Sequence, residues 1–187
     1  MVLQKSRQLQ RMISQILTFA RERERADSMR LEEMDLRQAL NDLADEAAEW
    51  AEEKTIIVET DIPDALIIQA DQMLLTRLFL NLLDNAVKYG REGGWIKIKA
   101  LHVGDTAVIS VCDNGNGIAE TDLPHIFNRF YRADKARFCE GEGLGLSLAE
   151  MIVRLHHGKI TAYSAPGIET CFVVELPLGC FHVLRGA

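Results

Sequence analysis

The first repeating pattern of apolar and polar residues occupies residues 8–20. Its apolar residues recur at steps of three and four, as on one face of an α-helix, and comprise Leu9, Met12, Ile13, Ile16, Leu17, Phe19 and Ala20. The run RERERADSMR that follows has no apolar stripe. We therefore interpret it as a linker and place a boundary near residues 27–30.

A second helical pattern begins after Asp35, which is a suitable N-cap residue. One predicted face of this helix carries Leu36, Leu40, Leu43, Ala47 and Trp50. Two short segments rich in Ile and Val follow, TIIVET and LIIQAD, separated by the turn-like DIPDA. Their composition predicts two strands.

A strong third helix is predicted for residues 72–89, and two strands, WIKIKAL and TAVISVC, follow it. After a polar, irregular stretch to about Gly143, a helix is predicted to His157. Two final strands, GKITAYSA and TCFVVELPL, flank a PG turn. This order favours an α+β fold, a two-layer sandwich in which helices cover one face of a mixed, mostly antiparallel sheet.

The composition is typical of a soluble globular protein, with 187 residues, 48% of them hydrophobic and 26% charged. No apolar run approaches the roughly 18 residues of a membrane span, and the N-terminus does not resemble a signal peptide. We expect a cytoplasmic location; any inner-membrane anchor would lie outside this sequence. The four cysteines are scattered without a C-x-x-C pair. This spacing predicts reduced thiols rather than a zinc site or a disulfide framework.

The net charge of −7 is unevenly distributed. Residues 1–30 carry seven Lys and Arg against three Asp and Glu, a local charge of +4, which leaves −11 for the remainder. That remainder would repel the phosphates of a nucleic acid, so we expect no nucleic-acid partner. A compact anionic ligand can still be held by a few placed cations and main-chain amides.

The third helix carries a polar line beside its apolar stripe. Asn81, Asn85 and Lys88 are spaced so that they fall on one side of the helix. Amide oxygens can ligate Mg²⁺, and an ammonium group can contact phosphate oxygens. A solvated helix face that happens to carry asparagine explains the pattern equally well.

The segment VISVCDNGNGI ends a predicted strand with Asp113, Gly115 and Gly117. A carboxylate there can accept a hydrogen bond from the exocyclic amine of adenine, and glycines allow turns and close approach to a flat ligand. A glycine-rich turn without a ligand is the simpler alternative for this segment alone.

A second glycine cluster, GEGLGLSLA, precedes the next predicted helix, whose N-terminal amides favour an anionic phosphate. No G-K-[ST] follows, so this is not a P-loop. The basic segment between the two clusters is typical of a lid that closes on a charged ligand, and Arg132 is its candidate contact. We expect the aromatic residues Phe127, Phe130 and Tyr131 to anchor the lid to the core.

Four segments, NLLDNAVKYG, DNGNGI, IFNRFYRAD and GEGLGLSLA, resemble in order and spacing the N, G1, F and G2 boxes of sensor histidine kinases. These kinases share an ATP-binding fold of the Bergerat type with type II topoisomerase and mismatch-repair ATPases. The resemblance implies a catalytic ATP-binding domain at residues 29–187. Residues 1–28 resemble the second helix of a dimerisation and histidine-phosphotransfer bundle, with its linker.

The resemblance also implies ATP and Mg²⁺ as cofactors and a role for each matched residue. Asn85 would ligate Mg²⁺, Asp113 would bind the adenine amine, and three residues would assist catalysis at the phosphates: Asn81, Lys88 and Arg132. The remaining nucleotide contacts would be Tyr89, Gly115, Gly117, Ile118, Gly141, Gly143, Leu144 and Gly145. Glu140 departs from the family, which usually has glycine there.

Asn81 separates a kinase from a hydrolase within the superfamily. ATP-hydrolysing members have a glutamate at this position that activates water, and an amide is a poor base. We therefore expect phosphoryl transfer to another nucleophile. The alternatives are an anti-sigma-type serine kinase of the same fold and a non-catalytic nucleotide-binding module, for which Glu140 is the one supporting feature.

The resemblance places the phosphoacceptor histidine on the first bundle helix, upstream of this sequence. All five histidines here lie beyond residue 100, and none follows the acceptor pattern of the family. We expect His156 and His157 to cap or pack at the end of their helix. The implied partners are the bundle of the same kinase, a response regulator receiver domain and, in the full-length protein, a second copy of the chain.

Overall fold

The computed structural model describes residues 29–63, 65–132 and 143–179. The predicted N-terminal helix and residues 21–28 of its linker lie outside these residues. In chain order the elements are β1 (Glu32–Asp35), α1 (Leu36–Ala51), β2 (Ile57–Asp61), β3 (Ile67–Ala70), α2 (Gln72–Tyr89), β4 (Trp95–Val103), β5 (Thr106–Asp113), α3 (Gly145–Leu155), β6 (Lys159–Ala165) and β7 (Glu169–Pro177). Short 3₁₀ turns occupy Glu52–Lys54 and Leu123–His125.

The main sheet has five strands in the order β2-β4-β5-β7-β6. Strand β2 runs parallel to β4, and the other neighbours are antiparallel. Residues alternate along β5 and β7 between buried and half-buried or exposed positions, because the helices cover one face of the sheet. The predicted two-layer α+β sandwich with a mixed, mostly antiparallel sheet is confirmed.

The helices contribute their apolar stripes to a single core. The predicted face of α1 is buried at Leu36, Leu40, Leu43 and Ala47, but Trp50 is 38% exposed. Ala51 takes the buried position instead. Around the helix axis, Ala51 lies about 40° from Ala47. Trp50 lies about 60° from Ala47 in the opposite direction, toward the edge of the apolar stripe. Trp50 therefore lies at the edge of the predicted face and is not buried with the other four residues.

A small second sheet was not predicted. Strand β1 pairs antiparallel with β3, from Glu32 opposite Ala70 to Asp35 opposite Ile67. Only Met34 of β1 is buried, so the segment lacks the apolar alternation that predicts a strand. The two Ile-rich segments that were predicted as strands consequently belong to different sheets, β2 to the main one and β3 to this one.

The cysteine prediction is also corrected. Cys112 in β5 and Cys171 in β7 are direct cross-strand partners and form a disulfide, with 4.1 Å between their Cα atoms. They are 59 residues apart in sequence. Spacing along the chain could not reveal this pairing, because it depends on the register of two strands. Cys139 and Cys180 lie outside the described residues.

No helix in the described part of the chain is both long and apolar enough to cross a membrane.

Candidate nucleotide-binding site

The two asparagines of α2 have their amide groups oriented by the helix itself. The Nδ2 atom of Asn81 donates a hydrogen bond to the carbonyl of Arg77 at 2.8 Å, and Nδ2 of Asn85 donates to the carbonyl of Asn81 at 2.9 Å. Both side chains are half-buried. Because each NH₂ group is held by the backbone, the Oδ1 atom of each residue is the group presented to a ligand.

Asn81 faces the start of α3. Its Oδ1 atom lies 3.1 Å from the position that a Cβ atom would occupy at Gly145, the first residue of that helix. A side chain at Gly145 would have to displace this amide oxygen. The glycine therefore permits the close approach of α2 and α3 beside the polar face of α2.

The N-terminus of α3 differs from those of α1 and α2. Asp35 and Asp71 cap the two earlier helices by accepting main-chain hydrogen bonds. At α3 the N-cap residue is Leu144, and no described side chain caps the helix. An α-helix N-terminus without a side-chain cap leaves amides for an anion, with the helix dipole favouring negative charge.

The C-terminal turn of α2 carries Lys88 and Tyr89, which were predicted to approach the nucleotide. The Nζ atom of Lys88 lies 5.3 Å from the centroid of the Tyr89 ring, within the range of a cation–π interaction. Both side chains are half-buried. An ammonium group is thus located at the helix end that borders the Asp113 loop.

Lys54, which the sequence analysis did not single out, holds this end of α2. Its Nζ atom donates hydrogen bonds to the carbonyls of Val87 at 2.8 Å and Lys88 at 2.7 Å, and more weakly to that of Gly90 at 3.4 Å. These carbonyls belong to the end of the helix, where orphan acceptors and the negative end of the dipole favour a cation. No local pattern indicates this role, because Lys54 is 33 residues or more from its acceptors.

Asp113 is a buried carboxylate at the end of β5, with 5% of its surface exposed. Its Oδ1 atom accepts a hydrogen bond from the amide of Gly115 at 2.9 Å. Burial raises the pKa of Asp113 to about 6; the hydrogen bond from Gly115 opposes this and the negative charge of Glu169 adds to it. The group is still mostly ionised at neutral pH, so it can accept a hydrogen bond from an amine.

Asn114, another residue that the motif analysis passed over, fixes the start of the loop. It is 3% exposed, and its Oδ1 atom accepts a hydrogen bond from the amide of Trp95 at 2.7 Å. Its own amide donates to the carbonyl of Trp95 at 3.3 Å. The loop is thereby attached to the first residue of β4, which keeps Asp113 at a fixed place.

Gly115 and Gly117 are needed for contacts within the protein. A Cβ atom at Gly115 would collide with the carbonyl oxygen of Tyr89, which also accepts a hydrogen bond from the amide of Asn116 at 3.2 Å. Gly117 has a φ of +75°, and a Cβ atom there would lie 2.5 Å from Cα of Pro166. The loop is therefore packed between the end of α2 and the turn that joins β6 to β7.

The residue after the glycines is attached to the same hairpin. The amide of Ile118 donates to Oγ of Ser164 at 2.8 Å, and this hydroxyl is 2.9 Å from that of the buried Thr170. The half-buried Ile118 side chain packs against the core. These bonds fix the backbone on the far side of the loop from Asp113.

The residues on either side of segment 133–142 lie next to each other. The amide of Phe130 donates to the carbonyl of Gly143 at 2.9 Å, and Gly143 has a φ of +73°. Arg132 is half-buried, and its Cγ atom lies 3.2 Å from the position of a Cβ atom at Gly143. Arg132 is thus held next to the start of α3. Gly141, like Glu140, lies outside the described residues.

The three aromatic side chains near this junction have different environments. Phe127 packs edge-to-face against Phe172 of β7, with 6.4 Å between ring centroids, and Tyr131 donates a hydrogen bond to Asp122 at 2.6 Å. Phe130 is 50% exposed and has a φ of +63°. The expectation that all three anchor the segment is therefore wrong for Phe130, whose main-chain amide makes the connection while its side chain is exposed.

Comparison with known families identifies the fold. Residues 70–179 match the family described as histidine kinase-, DNA gyrase B-, and HSP90-like ATPase. The chain belongs to this ATPase family. The match begins at the last residue of β3 and extends past β7, so it includes every described segment of the site.

Curated relatives of this ATPase domain are sensor kinases. The chain is 36% identical over 174 residues to the adaptive-response sensory kinase SasA of Rippkaea orientalis, which covers 92% of this chain and 44% of that protein. It is 38% identical over 129 residues to the sensor-like histidine kinase SenX3 of Mycobacterium tuberculosis, covering 68% of this chain and 32% of SenX3. The chain spans less than half the length of these relatives.

Solved structures agree with the family match. The catalytic domain of histidine kinase ThkA superposes with a TM-score of 0.72 at 26% identity, over 80% of this chain and 97% of that one. Full-length ShkA in complex with AMPPNP gives a TM-score of 0.73 at 27% identity, over 81% of this chain and 32% of ShkA. The predicted resemblance to the ATP-binding domain of sensor histidine kinases is thus confirmed.

Within this ATPase domain, α2 contacts both of the other described motifs. Its middle meets the start of α3 through Asn81 and Gly145, and its C-terminus meets the Asp113 loop through the carbonyl of Tyr89. The predicted site residues that the structure describes therefore border one region between these three segments. The one cluster of three His, Cys, Asp or Glu residues found among the described residues is formed by Cys112, Glu169 and Cys171, none of which is a predicted site residue.

Proposed function

We propose that this chain is the catalytic ATP-binding part of a sensor histidine kinase, which transfers the γ-phosphoryl group of Mg-ATP to a histidine on a separate helical bundle. The observation that supports phosphoryl transfer over hydrolysis is the state of Asn81. Its amide nitrogen is held by the carbonyl of Arg77, and its oxygen lies against Gly145. A neutral amide in that position cannot take a proton from water.

Asn85 and Asn81 suit a magnesium ion that arrives with the nucleotide. Mg²⁺ usually keeps several waters and takes one or two protein oxygens together with substrate phosphates. The two oriented Oδ1 atoms of α2 provide neutral oxygens of this kind. When bound, the ion would neutralise charge on the phosphate oxygens. Asn85 is the proposed direct ligand, and Asn81 supports the ion or one of its waters.

Three further features suit the phosphate chain and the base. The uncapped N-terminus of α3 provides amides for the phosphates, with Leu144, Gly145 and the Gly143 turn preceding or opening the helix. Lys88, at the C-terminal turn of α2, and Arg132, beside Gly143, would supply positive charge. Asp113 would accept a hydrogen bond from the adenine amine, and Tyr89, Gly115, Gly117 and Ile118 would form the surrounding wall. Gly141 is proposed from the motif alone.

The partners follow from the proposed reaction. The phosphoryl group would pass to a histidine on a dimerisation and phosphotransfer bundle, to which residues 1–28 would contribute one helix, and then to a response regulator receiver domain. Residues 29–187 would form the catalytic domain, acting in the cytoplasm. A bundle of this type is built from two chains, so the full-length kinase would be a homodimer.

Calorimetric titration of ATP with and without Mg²⁺ tests the nucleotide site. We expect Asn85→Ala to abolish the part of the ATP affinity that depends on Mg²⁺, while Asn41→Ala, a half-buried asparagine on α1, leaves it unchanged. Equal Mg²⁺ dependence in Asn85→Ala and wild type would contradict the metal assignment. Absence of ATP binding by the wild type would contradict the proposal and favour a degenerate, non-catalytic scaffold.

Phosphorylation of a separate bundle tests the reaction. Incubated alone with Mg-ATP, the chain should gain no acid-labile phosphohistidine; added to a bundle that contains an acceptor histidine, it should phosphorylate that bundle. Replacing the acceptor histidine in the bundle with glutamine is the matched control and should abolish labelling. Acid-stable phosphoserine on a protein substrate would instead indicate a serine kinase, and phosphohistidine on the isolated chain would show that an acceptor is present in it.

A further inference from the structure

The open face of the main sheet carries a row of directly paired residues that crosses all five strands. The row runs from Glu59 through Lys97, Cys112 and Cys171 to Tyr163, each opposite the next in the strand register. The two cysteines at its centre form the disulfide. Both are half-buried, so small solutes can reach them from the side of the sheet on which none of the described helices packs.

We propose that Cys112 and Cys171 are a reversible modification site, which exchanges with low-molecular-weight disulfides such as glutathione disulfide. An ATP-binding domain works in a compartment that contains ATP, and glutathione and thioredoxin keep most thiols reduced there. Under those conditions a half-buried disulfide is typically transient. The reducing compartment is that of the proposed ATP-dependent function, whichever residue the kinase phosphorylates.

The exchange consists of two balanced substitutions. The thiolate of one cysteine attacks glutathione disulfide, which forms a mixed disulfide and releases one glutathione thiolate. The thiolate of the other cysteine then attacks the protein sulfur of the mixed disulfide. This step closes the Cys112–Cys171 bond and releases the second glutathione. The protein loses two protons and two electrons, and one glutathione disulfide is reduced to two thiols.

The neighbouring charges distinguish the two thiols. Lys97 is directly opposite Cys112 in β4, and a nearby ammonium group favours the thiolate. Glu169 lies two residues before Cys171 on the same face. Its carboxylate is within 4.8 Å of both sulfur atoms, so its negative charge disfavours both thiolates and the difference between them comes from Lys97. Lys97 also pairs with Glu59 at 3.2 Å, which moderates its effect. Cys112 is therefore the proposed attacking thiol and Cys171 the resolving one.

The consequence for the fold follows from the position of the bond. The disulfide connects β5 to β7, and its two cysteines are 59 residues apart in sequence. The neighbouring pair in the strand register is Asp113 opposite Thr170, so the bond lies next to the end of β5 that carries Asp113. A cross-link that closes a loop of this length restricts the unfolded chain strongly. The oxidised domain should unfold on the order of 10 °C above the reduced one.

Thiol trapping tests the proposal. A Cys139→Ser/Cys180→Ser variant, which keeps only the proposed pair, is equilibrated at increasing ratios of oxidised to reduced glutathione, quenched with acid, alkylated and analysed by mass. The expected result is a cooperative loss of two alkylation sites as the ratio rises, reversed by reduced glutathione, with a parallel rise in melting temperature. Two alkylated thiols at every ratio would overturn the proposal, as would a disulfide that reduced glutathione never opens.

Further variants test the roles of the residues around the pair. Cys112→Ser and Cys171→Ser should each abolish the redox dependence of the melting temperature, and the trapping measurement stands without them if either folds poorly. Glu169→Gln should accelerate disulfide formation roughly twofold or more, and Lys97→Met should slow it. A faster reaction in Lys97→Met would contradict the assigned order of attack, and a slower one in Glu169→Gln would contradict the proposed effect of its charge on the two thiolates. ATP affinity is measured in a separate experiment. It tests the proposed kinase function, whereas thiol trapping tests the disulfide exchange, so failure of one proposal can be told from failure of the other.

Discussion

The main-chain amide of Asp71 donates a hydrogen bond to Nε2 of His156 at 3.1 Å, which joins the N-cap of α2 to the residue that follows α3. The other ring nitrogen, Nδ1, is 2.8 Å from the carbonyl of Ile152 and must donate to it. A ring that donates at Nδ1 and accepts at Nε2 is neutral. Burial lowers the pKa of His156 below its usual value, against opposing effects of Ile152 and Asp71. The expectation that His156 packs at its helix end is met.

This neutral histidine should make the fold sensitive to acid. Because the pKa of His156 is lower in the folded protein than in the unfolded chain, the unfolded chain takes up the proton first. The free energy of unfolding should therefore fall as the pH decreases below about 6.5, the ordinary pKa of histidine. Chemical denaturation from pH 8 to 5 should give a flatter profile for His156→Asn than for wild type. The exposed His102→Asn is the control and should retain the wild-type slope.

Asp113→Asn should stabilise the domain without nucleotide while weakening adenine binding. The pKa of Asp113 is raised to about 6 in the folded protein, so the unfolded chain ionises first as the pH rises. The free energy of unfolding is therefore highest below the unfolded pKa and decreases until the pH has passed through about 6. An amide keeps the acceptor for Gly115 without this cost. A pKa raised from about 4 to about 6 corresponds to about 3 kcal/mol, so at pH 8 the variant should be more stable by up to about this amount, with the difference vanishing near pH 4.

The same variant should bind ATP at least about tenfold more weakly, since the amide can present its NH₂ group to the adenine amine. Asp105→Asn, an exposed aspartate in the turn between β4 and β5, is the control for both measurements. If Asp113→Asn kept the preference of the parent for ATP over GTP, Asp113 would not be the residue that recognises adenine.

Asn114→Ala should destabilise the domain because it removes a buried side chain and leaves the main-chain amide of Trp95 without its acceptor. The expected loss is about 1–3 kcal/mol in the free energy of unfolding. The exposed Asn116→Ala removes a side chain from the same loop and keeps the main-chain bond to Tyr89, so it should cost little. Urea denaturation of both variants provides the comparison; equal stabilities would show that the Asn114 bond contributes nothing.

Lys54→Met should lower both thermal stability and ATP affinity without removing a group that contacts the ligand. The methionine keeps the apolar stem but leaves the carbonyls at the end of α2 uncapped, and the turn that carries Lys88 and Tyr89 should fray. We expect an ATP affinity lowered several-fold. Lys99→Met, which removes an exposed ion pair with Asp61, is the control. Amide hydrogen exchange at residues 86–90 should rise in Lys54→Met; unchanged exchange would contradict the proposed mechanism.

Local patterns predicted the parts of this molecule that local forces determine. The apolar stripe of α2, the N-cap at Asp35 and the end of β5 at Asp113 all follow from periodicity and residue type. The rest depends on residues that meet across long stretches of chain. Lys54 at α2, Asn114 at Trp95 and Cys112 at Cys171 have no local signature, and β1 is a strand because β3 lies beside it.

The loop after β5 has almost no freedom to vary. Positions 115 and 117 exclude side chains because backbone from α2 and from the β6–β7 turn occupies the space, and Asp113 and Asn114 are buried with fixed bonds. Asn116 alone among these five positions is exposed. A relative or a designed variant that acquires a different ligand preference through this loop would have to change residue 116 or the residues around the loop. Loss of ATP binding in Gly115→Ala would accordingly report a displaced helix α2 rather than a missing contact with the nucleotide.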